Sequence, residues 1–182
     1  SPVRALVANW ILSPTTNYML QTKLQLAIAH KLSAGLPLAL RAGHTPHLPP
    51  RYRAYALNTI ALLGDKPHAK YLADFLDAKA VVGRRTIRRN GKTTRHEIQL
   101  RDVALAWLIK LTDQGHDKYG MPRAAVAFRS LKRRPTSTIS IYNLHFTDVD
   151  GQKKALAKWH SWVKEHPLPD PPKVPSLQKV KI

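Results

Sequence analysis

The feature that most constrains the fold is a pair of helical patterns joined by a very short turn, within residues 51–82. In the first pattern, apolar residues recur three or four positions apart, as one buried face of a helix requires. Gly64-Asp65 ends this pattern, and Pro67 suits the first turn of a second helix. The buried stripe of the second helix is expected at Leu72, Phe75 and Leu76. Because the connection is so short, the two helices are predicted to lie antiparallel.

Similar helical patterns lie on both sides of this pair. Residues 17–35 and 97–115 each carry apolar side chains on one helical face and close on a glycine, and residues 36–43 suit a shorter helix. Helical hairpins of this kind cannot cover their apolar faces alone, so they are expected to stack side by side. We therefore predict an all-α fold, a short stack of antiparallel helical hairpins over residues 15–166, preceded by an apolar segment at residues 1–14.

The last third of the chain is less regular. Residues 137–146 are rich in β-branched and aromatic residues, so a short strand is one interpretation. Asp148 suits the N-cap of a last helix at residues 148–166, whose tryptophans, Trp159 and Trp162, are expected to face inward and cap the stack. Five prolines fall in the first nine residues of the segment 167–182. This segment is therefore predicted to be an extended Pro-rich C-terminal arm.

The chain is strongly basic: 30 Lys and Arg residues against 11 Asp and Glu residues give a formal net charge of +19. Such a field attracts nucleic acid, acidic proteins, anionic lipid or acidic polysaccharide, and it does not choose among them. The absence of cysteine excludes disulfides and thiolate metal sites. The sequence has no apolar run of about 18 residues, so no transmembrane helix is predicted.

The most basic stretch, residues 84–97, is predicted to be a β-hairpin inserted between helices. Asn90-Gly91 is the strongest two-residue signal for a tight hairpin turn, in which both positions adopt a positive φ. A turn there pairs Arg89 with Lys92, Arg88 with Thr93, Ile87 with Thr94 and Thr86 with Arg95. Neither face of this ribbon is apolar, so neither can pack fully into a core. Like charges opposite each other at its tip cost stability unless an anion lies between them.

Two interpretations of this stretch stay open: arginine forks that contact phosphates or carboxylates, or a solvated loop whose charges aid solubility. The candidate contact residues in the hairpin are Arg84, Arg85, Arg88, Arg89, Lys92 and Arg95. A second basic cluster comprises Arg129, Lys132, Arg133 and Arg134. If both groups lie on the same side of the protein, they form one electropositive surface, and each phosphate it neutralises steepens the salt dependence of binding.

No catalytic or metal site is predicted, and no cofactor. His44 and His47 are three residues apart, as are Asp65 and His68, but nine histidines in one chain produce such spacings by chance. The sequence lacks G-x-S-x-G, H-E-x-x-H and a phosphate-binding glycine loop. Asp102, near the start of a helix, is interpreted as structural, because a carboxylate there interacts favourably with the helix dipole.

The segment RYRAYALNTIALLGDKPHAKYLADFLDA, residues 51–78, resembles a HEAT repeat, and the likeness extends over roughly residues 15–115. The pairing of LRDVALAWLIKLTDQGHDKYGM with ALAKWHSWVKEH is similar to the C-terminal region of a group of bacterial HEAT-like proteins of unassigned function. Asp113-Gln114 stands where that group has Gly-Gln, and Met121 where it has Phe. The resemblance implies an α-solenoid used for binding, with no catalytic residues to transfer. It also implies export after removal of a leader, with which a first residue other than Met agrees.

Together these observations predict a non-enzymatic binding or scaffold module, a candidate subunit of a larger assembly. Its basic surface is expected to engage an acidic partner, either a protein or a polyanion. The alternative is a nucleic-acid-binding protein that uses the same surface. No zinc-finger spacing and no RNP-type aromatic signature supports sequence-specific recognition of nucleic acid.

Overall fold

The structure, a computed structural model, describes residues 2–133 and 139–172. Over these residues the chain is mostly helical, as predicted, with eight α-helices and one two-stranded antiparallel sheet. The elements are α1 (Pro2–Leu12), α2 (Asn17–Ala29), α3 (Gly35–His44), α4 (Pro50–Leu63), α5 (Ala69–Ala73), β1 (Val81–Arg89), β2 (Lys92–Gln99), α6 (Leu100–Leu111), α7 (Pro122–Arg133) and α8 (Val149–Glu165). Short 3-10 helices lie at Lys66–His68, His116–Tyr119 and Ile141–Asn143.

Caps and prolines set where several helices begin. Thr16 accepts a hydrogen bond from the Met19 N–H at the start of α2. Asp148 accepts one from the Gly151 N–H at the start of α8, as predicted. Pro50 lies in the first turn of α4, where a missing N–H leaves no hydrogen bond unmade. These beginnings depend on short-range contacts, which is why the sequence alone indicates them.

The helix predicted over residues 17–35 is present but shorter than expected, and the short helix predicted at residues 36–43 is confirmed as α3. α2 ends at Ala29, and the chain turns through Lys31, whose φ of 49° lies in the left-handed region. Gly35 does not end a helix but begins α3. A Cβ on Gly35 would lie 2.4 Å from the Cβ of Ala27. The glycine therefore allows α2 and α3 to approach each other closely.

The helical pair predicted around Gly64 is present, but its second helix is short. A 3-10 turn leads into α5, which ends at Ala73. The predicted stripe of Leu72, Phe75 and Leu76 is buried, although its last two members lie in turns beyond the helix. The apolar pattern thus identifies which residues are buried and overestimates how far the helix extends.

Helix α6 is at the centre of the core. It packs against α4, α5 and α8, and every residue from Asp102 to Ile109 is buried. The Trp107 N–H donates to Oδ1 of Asn58 at 2.5 Å, and the Phe128 ring meets the indole edge-on, with centroids 4.7 Å apart. The Asn58 amide also donates to the Ile139 carbonyl at 3.3 Å. One buried amide therefore joins α4 and α6 to the segment that follows α7.

The β1–β2 hairpin leads into α6 without a linker, since β2 ends at Gln99 and α6 begins at Leu100. The Leu100 N–H donates to the Ala80 carbonyl at 2.9 Å, and the Arg101 N–H donates to the Ala78 carbonyl at 3.0 Å. These bonds connect the residues before β1 to the first turn of α6. The hairpin therefore extends directly from the most buried helix.

The strand suggested for residues 137–146 is wrong for the part of it that the structure describes, residues 139–146. This part contains the 3-10 helix Ile141–Asn143 and buries Ile139, Leu144 and Phe146. β1 and β2 pair only with each other, so the segment pairs with neither strand. Its β-branched and aromatic residues act as core anchors of an irregular segment.

The first and last helices differ in how they are packed. α8 contacts α6 and buries Trp159, while Trp162 is half-buried with its ring centroid 5.3 Å from that of Trp159. α1 packs on α2 and α3 and buries Ile11, but it leaves Val3 and Leu6 exposed. None of the helices in the described ranges has the length and apolar content that crossing a bilayer requires.

The Pro-rich segment lies partly within the described residues. Residues 167–172 run beside α5, where Lys70 Nζ lies 2.6 Å from Asp170 Oδ1. The Tyr71 hydroxyl donates to the Pro172 carbonyl at 2.9 Å. The start of the arm is therefore held against the surface of the helical part, and the remainder of the predicted arm, 173–182, lies outside the described residues.

Candidate functional site

The β1–β2 hairpin has the turn and the register that its sequence predicts. Arg89 pairs with Lys92, Arg88 with Thr93, Ile87 with Thr94 and Thr86 with Arg95. Asn90 and Gly91 have φ values of 48° and 74°, the left-handed conformation that this two-residue turn requires. The strands extend beyond the predicted 84–97, to Val81 on one side and Gln99 on the other.

The base of the hairpin is anchored in the core. Val82 and Ile98 are buried, and the register shifts between Val81 and Gly83, as at a β-bulge. Such a bulge bends its strand and increases the local twist. The hairpin is thus fixed at its base, and its more distal residues contribute little to the core.

One face of the hairpin, called here the outer face, is wholly exposed. Cross-strand partners share a face of a ladder, and successive residues alternate between faces. The outer face carries Arg84, Thr86, Arg88, Thr93, Arg95 and Glu97. Arg84 Nε lies 3.1 Å from Glu97 Oε1. In the described part of the chain, no carboxylate lies within 4.0 Å of Arg88 or Arg95.

The opposite, inner face turns toward the segment that carries Tyr142. The Arg85 guanidinium donates from Nη1 to the Tyr142 carbonyl at 3.1 Å, and both Arg85 and Ile87 are half-buried. Lys92, beside the turn, is exposed and pairs with Arg89 in the ladder. Arg85 therefore helps to hold the hairpin in place, whereas the outer-face arginines point to solvent.

A histidine pair lies where the inner face meets the rest of the protein. The His96 and His145 rings are 5.7 Å apart, and His145 Nδ1 lies 3.0 Å from the Tyr142 carbonyl. The buried His145 Nε2 has no hydrogen-bond partner in the described residues. Burial lowers the pKa of His145, and the nearby charges of Arg85, Arg123 and His96 lower it further. The imidazole is therefore neutral at pH 7, with its proton on Nδ1, toward the carbonyl.

The second basic cluster lies on α7. Arg129, Lys132 and Arg133 are exposed on the last turns of that helix, and Arg134 lies outside the described residues. Lys132 lines a groove together with Lys110, which is in the last turn of α6. The cluster is therefore placed beside the C-terminal end of α6.

The structure does not bring the two basic groups together. The hairpin joins the first residue of α6, and about 15 Å of helix separates that residue from Lys110. α4 leads to the same conclusion, because Arg51 in its first turn interacts with Tyr142 beside the hairpin. Residues in the last turn of α4 instead line the groove with Lys132. The two groups thus lie at opposite ends of α6 and do not form the single surface that was one hypothesis from the sequence.

A buried carboxylate lies at the start of α6. Asp102 accepts hydrogen bonds from the Gln99 N–H at 2.8 Å and from the Gln152 amide on α8 at 2.5 Å. The Arg101 guanidinium donates to both glutamine side chains. Burial raises the pKa of Asp102 to about 6, although these hydrogen bonds and the Arg101 charge act in the opposite direction. The contacts of Asp102 are those of a helix cap, in keeping with its structural interpretation.

The histidines with metal-ligand spacing make local contacts. His68 Nδ1 lies 2.7 Å from Asp65 Oδ1 at the turn before α5, and His44 Nε2 lies 3.4 Å from Asp74 Oδ2. Within residues 2–133 and 139–172, no group of three or more His, Asp or Glu side chains could hold a metal ion.

Three residues, at the base of the hairpin and at the groove lined by Lys132, give no signal in the sequence. Arg123 and His145 reach the base of the hairpin from segments far along the chain, and Lys110 meets Lys132 only because α6 and α7 pack together. No local spacing connects these residues with the hairpin or with each other. Only the path of the chain brings them together.

Comparison of the chain with protein-family models, with curated proteins and with solved structures finds no match.

Proposed function

We propose that the chain is a non-enzymatic binding module, a short HEAT-like α-solenoid that engages an acidic partner through the outer face of the hairpin. The partner is a polyanion or an acidic protein surface. The observation that carries the proposal is a row of three exposed arginines on this face, Arg84, Arg95 and Arg88. In the described residues, only Arg84 of the three has a carboxylate partner.

The spacing of the arginine row suits a partner with repeated negative groups. Arg95 lies diagonally across the ladder from both Arg84 and Arg88, and such diagonal neighbours are about 7–8 Å apart. Arg84 and Arg88 lie on one strand, so the row extends over about 13 Å. Each guanidinium can bind a phosphate or a carboxylate through two parallel N–H groups. A partner with negative groups at similar intervals could contact all three arginines at once.

The way the hairpin is built disfavours the alternative of a loop that only aids solubility. Its ladder continues to the tip, where Arg89 and Lys92 are partners in the backbone register. Like charges placed in this way destabilise a ladder that has no anion between them. A solvated loop needs neither a paired backbone nor cations aligned on one face. An anionic partner explains both the paired backbone and the aligned cations, because the ladder holds the cations in place for binding.

The helical part supports the scaffold component of the proposal. α2, α3 and α4 pack together, and α4 and α5 both pack on α6. Contacts between successive neighbours are the kind that stacked helical hairpins make. The α4–α5 pair, with its short connection, is the unit whose sequence resembles a HEAT repeat. The proposal assigns no catalytic residue to this scaffold.

Retention on immobilised heparin and on immobilised duplex DNA at rising salt tests the proposal. The Arg88→Gln, Arg95→Gln double variant removes two charges from the outer face and keeps polar side chains there. We expect the wild-type protein to elute above about 150 mM salt, near physiological ionic strength. The double variant should elute earlier, with a shallower salt dependence that reflects the lost contacts.

A matched control removes the same charge elsewhere. Lys66 and Lys164 are exposed and lie outside the hairpin, so the Lys66→Gln, Lys164→Gln double variant should elute close to wild type. Equal shifts for both double variants would mean that net charge alone governs retention, and the proposed role of the outer face would be wrong. Stronger retention on DNA than on heparin at matched salt would favour the nucleic-acid alternative.

A further inference from the structure

An apolar groove lies at the end of α6 that is remote from the hairpin. Its walls include Leu62 at the end of α4, Trp107 and Leu111 on α6, and Leu131 on α7, and its volume is ≈ 300 Å³. The three leucines are half-buried, so part of each side chain faces solvent. The groove therefore offers a small apolar surface that a side chain of another molecule can reach.

Positive charge flanks this apolar groove. Lys110 and Lys132 line it, and both also line a neighbouring depression of ≈ 250 Å³ that contains Arg129. Asp113 and Asp117 line the depression as well. In the described residues, however, no carboxylate lies within 4.0 Å of Lys110, Lys132 or Arg129. The groove thus combines an apolar floor with cations that form no ion pair within the described residues.

We propose that the apolar groove is a docking site for an acidic peptide segment of a partner protein. One apolar side chain of that segment occupies the groove, and carboxylates on either side of it contact Lys110 and Lys132. The site is separate from the outer face of the hairpin, and it does not depend on the function proposed for that face.

The shape of the groove favours a peptide over a small molecule. Its volume of ≈ 300 Å³ is at the lower end of the range of small-molecule pockets, about 300–1,000 Å³. Its half-buried leucines leave it too open to enclose a ligand of that size. Protein interfaces commonly place one anchoring side chain in a small pocket and surround it with weaker polar contacts.

The charge of the chain determines which peptide fits. Two copies of a chain with a formal net charge of +19 repel each other, so a second copy is a poor occupant. An acidic segment is instead attracted, and its carboxylates meet the two lysines at the rim. The apolar floor distinguishes this site from the outer face of the hairpin, which has no apolar side chain.

Fluorescence anisotropy with three labelled peptides tests the proposal. The first peptide has a leucine between two pairs of glutamates, the second has serine in place of the leucine, and the third has glutamines in place of the glutamates. We expect the first peptide to bind the wild-type protein at least about tenfold more tightly than either of the others, because each of those lacks one half of the recognition.

Two charge-matched double variants locate the binding. Lys110→Gln, Lys132→Gln should weaken binding of the leucine peptide by about tenfold, whereas Arg88→Gln, Arg95→Gln should leave it within about twofold of wild type, because distant sites act independently. On immobilised heparin, by contrast, the Arg88→Gln, Arg95→Gln variant should elute earlier than the wild-type protein. The failure of either proposal can therefore be recognised without reference to the other.

Several outcomes would overturn the docking site. Equal affinity for the leucine and serine peptides would show that charge alone drives binding. Equal losses in the two double variants would show that the groove has no special part. Binding of phosphatidylserine vesicles that is lost in the Lys110→Gln, Lys132→Gln variant would assign the groove to a lipid surface. Dimerisation detected by sedimentation and abolished by Leu131→Ser would assign it to a second copy.

Discussion

The β1–β2 hairpin and helix α6 follow each other directly in the chain, yet their side chains meet opposite environments. In α6, every residue from Asp102 to Ile109 is buried. On the outer face of the hairpin, every residue is exposed. Side chains in α6 are fixed by what they pack against, so changing them costs stability. Those on the outer face are free to meet a partner, so changing them should alter binding and leave stability intact. Two adjacent segments of the chain therefore have different roles: α6 determines stability, and the outer face of the hairpin is available for binding.

The largest effect is expected for Trp107→Ala, a loss of about 3–5 kcal/mol in the free energy of unfolding. The change opens a cavity beside Phe128 and leaves Oδ1 of Asn58 without its donor. Urea unfolding followed by circular dichroism measures the loss. Trp107→Phe is the matched control: it keeps an aromatic ring and should cost less. A loss below about 1 kcal/mol for Trp107→Ala would mean that α6 is not the packed centre of the protein.

Asp102 should make the stability of the folded protein depend on pH. The folded-state pKa of about 6 is above the ordinary value of 3.8, so the folded state binds the proton more tightly than the unfolded chain. The stability from this group is present below pH 3.8 and is lost as pH rises through about 6. A shift of about two units corresponds to about 3 kcal/mol at most.

The Asp102→Asn variant isolates this contribution, since its side chain does not titrate. The unfolding free energy of wild type minus that of the variant should fall between about pH 4 and about pH 6.5 and then level off. Urea titrations at a series of pH values measure the difference. A difference that stays constant with pH would show that Asp102 ionises in the folded protein as easily as in water.

A smaller, local effect is expected at the base of the hairpin. The pKa of His145 is lowered from its ordinary value of 6.5, so the stability it provides is present above pH 6.5 and is lost as pH falls through the lower folded-state pKa. Protonation places a buried charge opposite Arg85 on β1, His96 on β2 and Arg123 on α7. Acid should therefore loosen the hairpin before it unfolds the helices.

Amide hydrogen exchange at about pH 7.5 and about pH 5, corrected for intrinsic rates, can detect this loosening. Hairpin amides should lose protection in acid in the wild-type protein and lose less in the His145→Phe variant, which has a ring but no titrating group. Burial lowers the pKa of His116 and raises that of Asp102. Both proteins retain these two groups, so the difference between the proteins reports on His145. The same acid response in both proteins would contradict the expectation.

The smallest effect is expected for Arg88→Gln, Arg95→Gln on stability. Neither side chain has a carboxylate partner in the described residues, so the unfolding free energy should change by no more than about 0.5 kcal/mol. Thermal and urea unfolding of the double variant measure it alongside the heparin experiment. A loss above about 1 kcal/mol would mean that the outer face contributes to the stability of the fold. The double variant would then change both binding and stability.

The parts of the fold that the sequence predicts well are those that local chemistry determines. Asn90-Gly91 alone sets the register of the hairpin, because only a left-handed pair makes that turn. Asp148 marks the start of α8 through one short-range hydrogen bond. The end of α2 at Ala29 depends instead on the turn through Lys31 and on the close approach of Gly35 to Ala27. Helical periodicity cannot reveal that approach, since it describes a face and not where the helix ends.

The candidate sites divide in the same way. The cations of the hairpin are adjacent in the sequence, and the ladder alone predicts that three of them share one face. The groove at the other end of α6 needs three helices to meet, and the histidine pair needs His145 to come beside His96. Such tertiary contacts depend on the path of the whole chain and cannot be predicted from composition and local spacing.

The direct passage from β2 into α6 has a consequence for any anion that binds at the hairpin tip. A tilt of the hairpin would strain the bonds from the Leu100 and Arg101 N–H groups to the carbonyls before β1. Occupancy of the tip should therefore favour the closed first turn of α6, the turn that contains Asp102. Linked equilibria are reciprocal, so the proton on Asp102 and the distant anion would influence each other's affinity. Affinity for a polyanion would then depend on the protonation of a buried carboxylate that lies outside the hairpin.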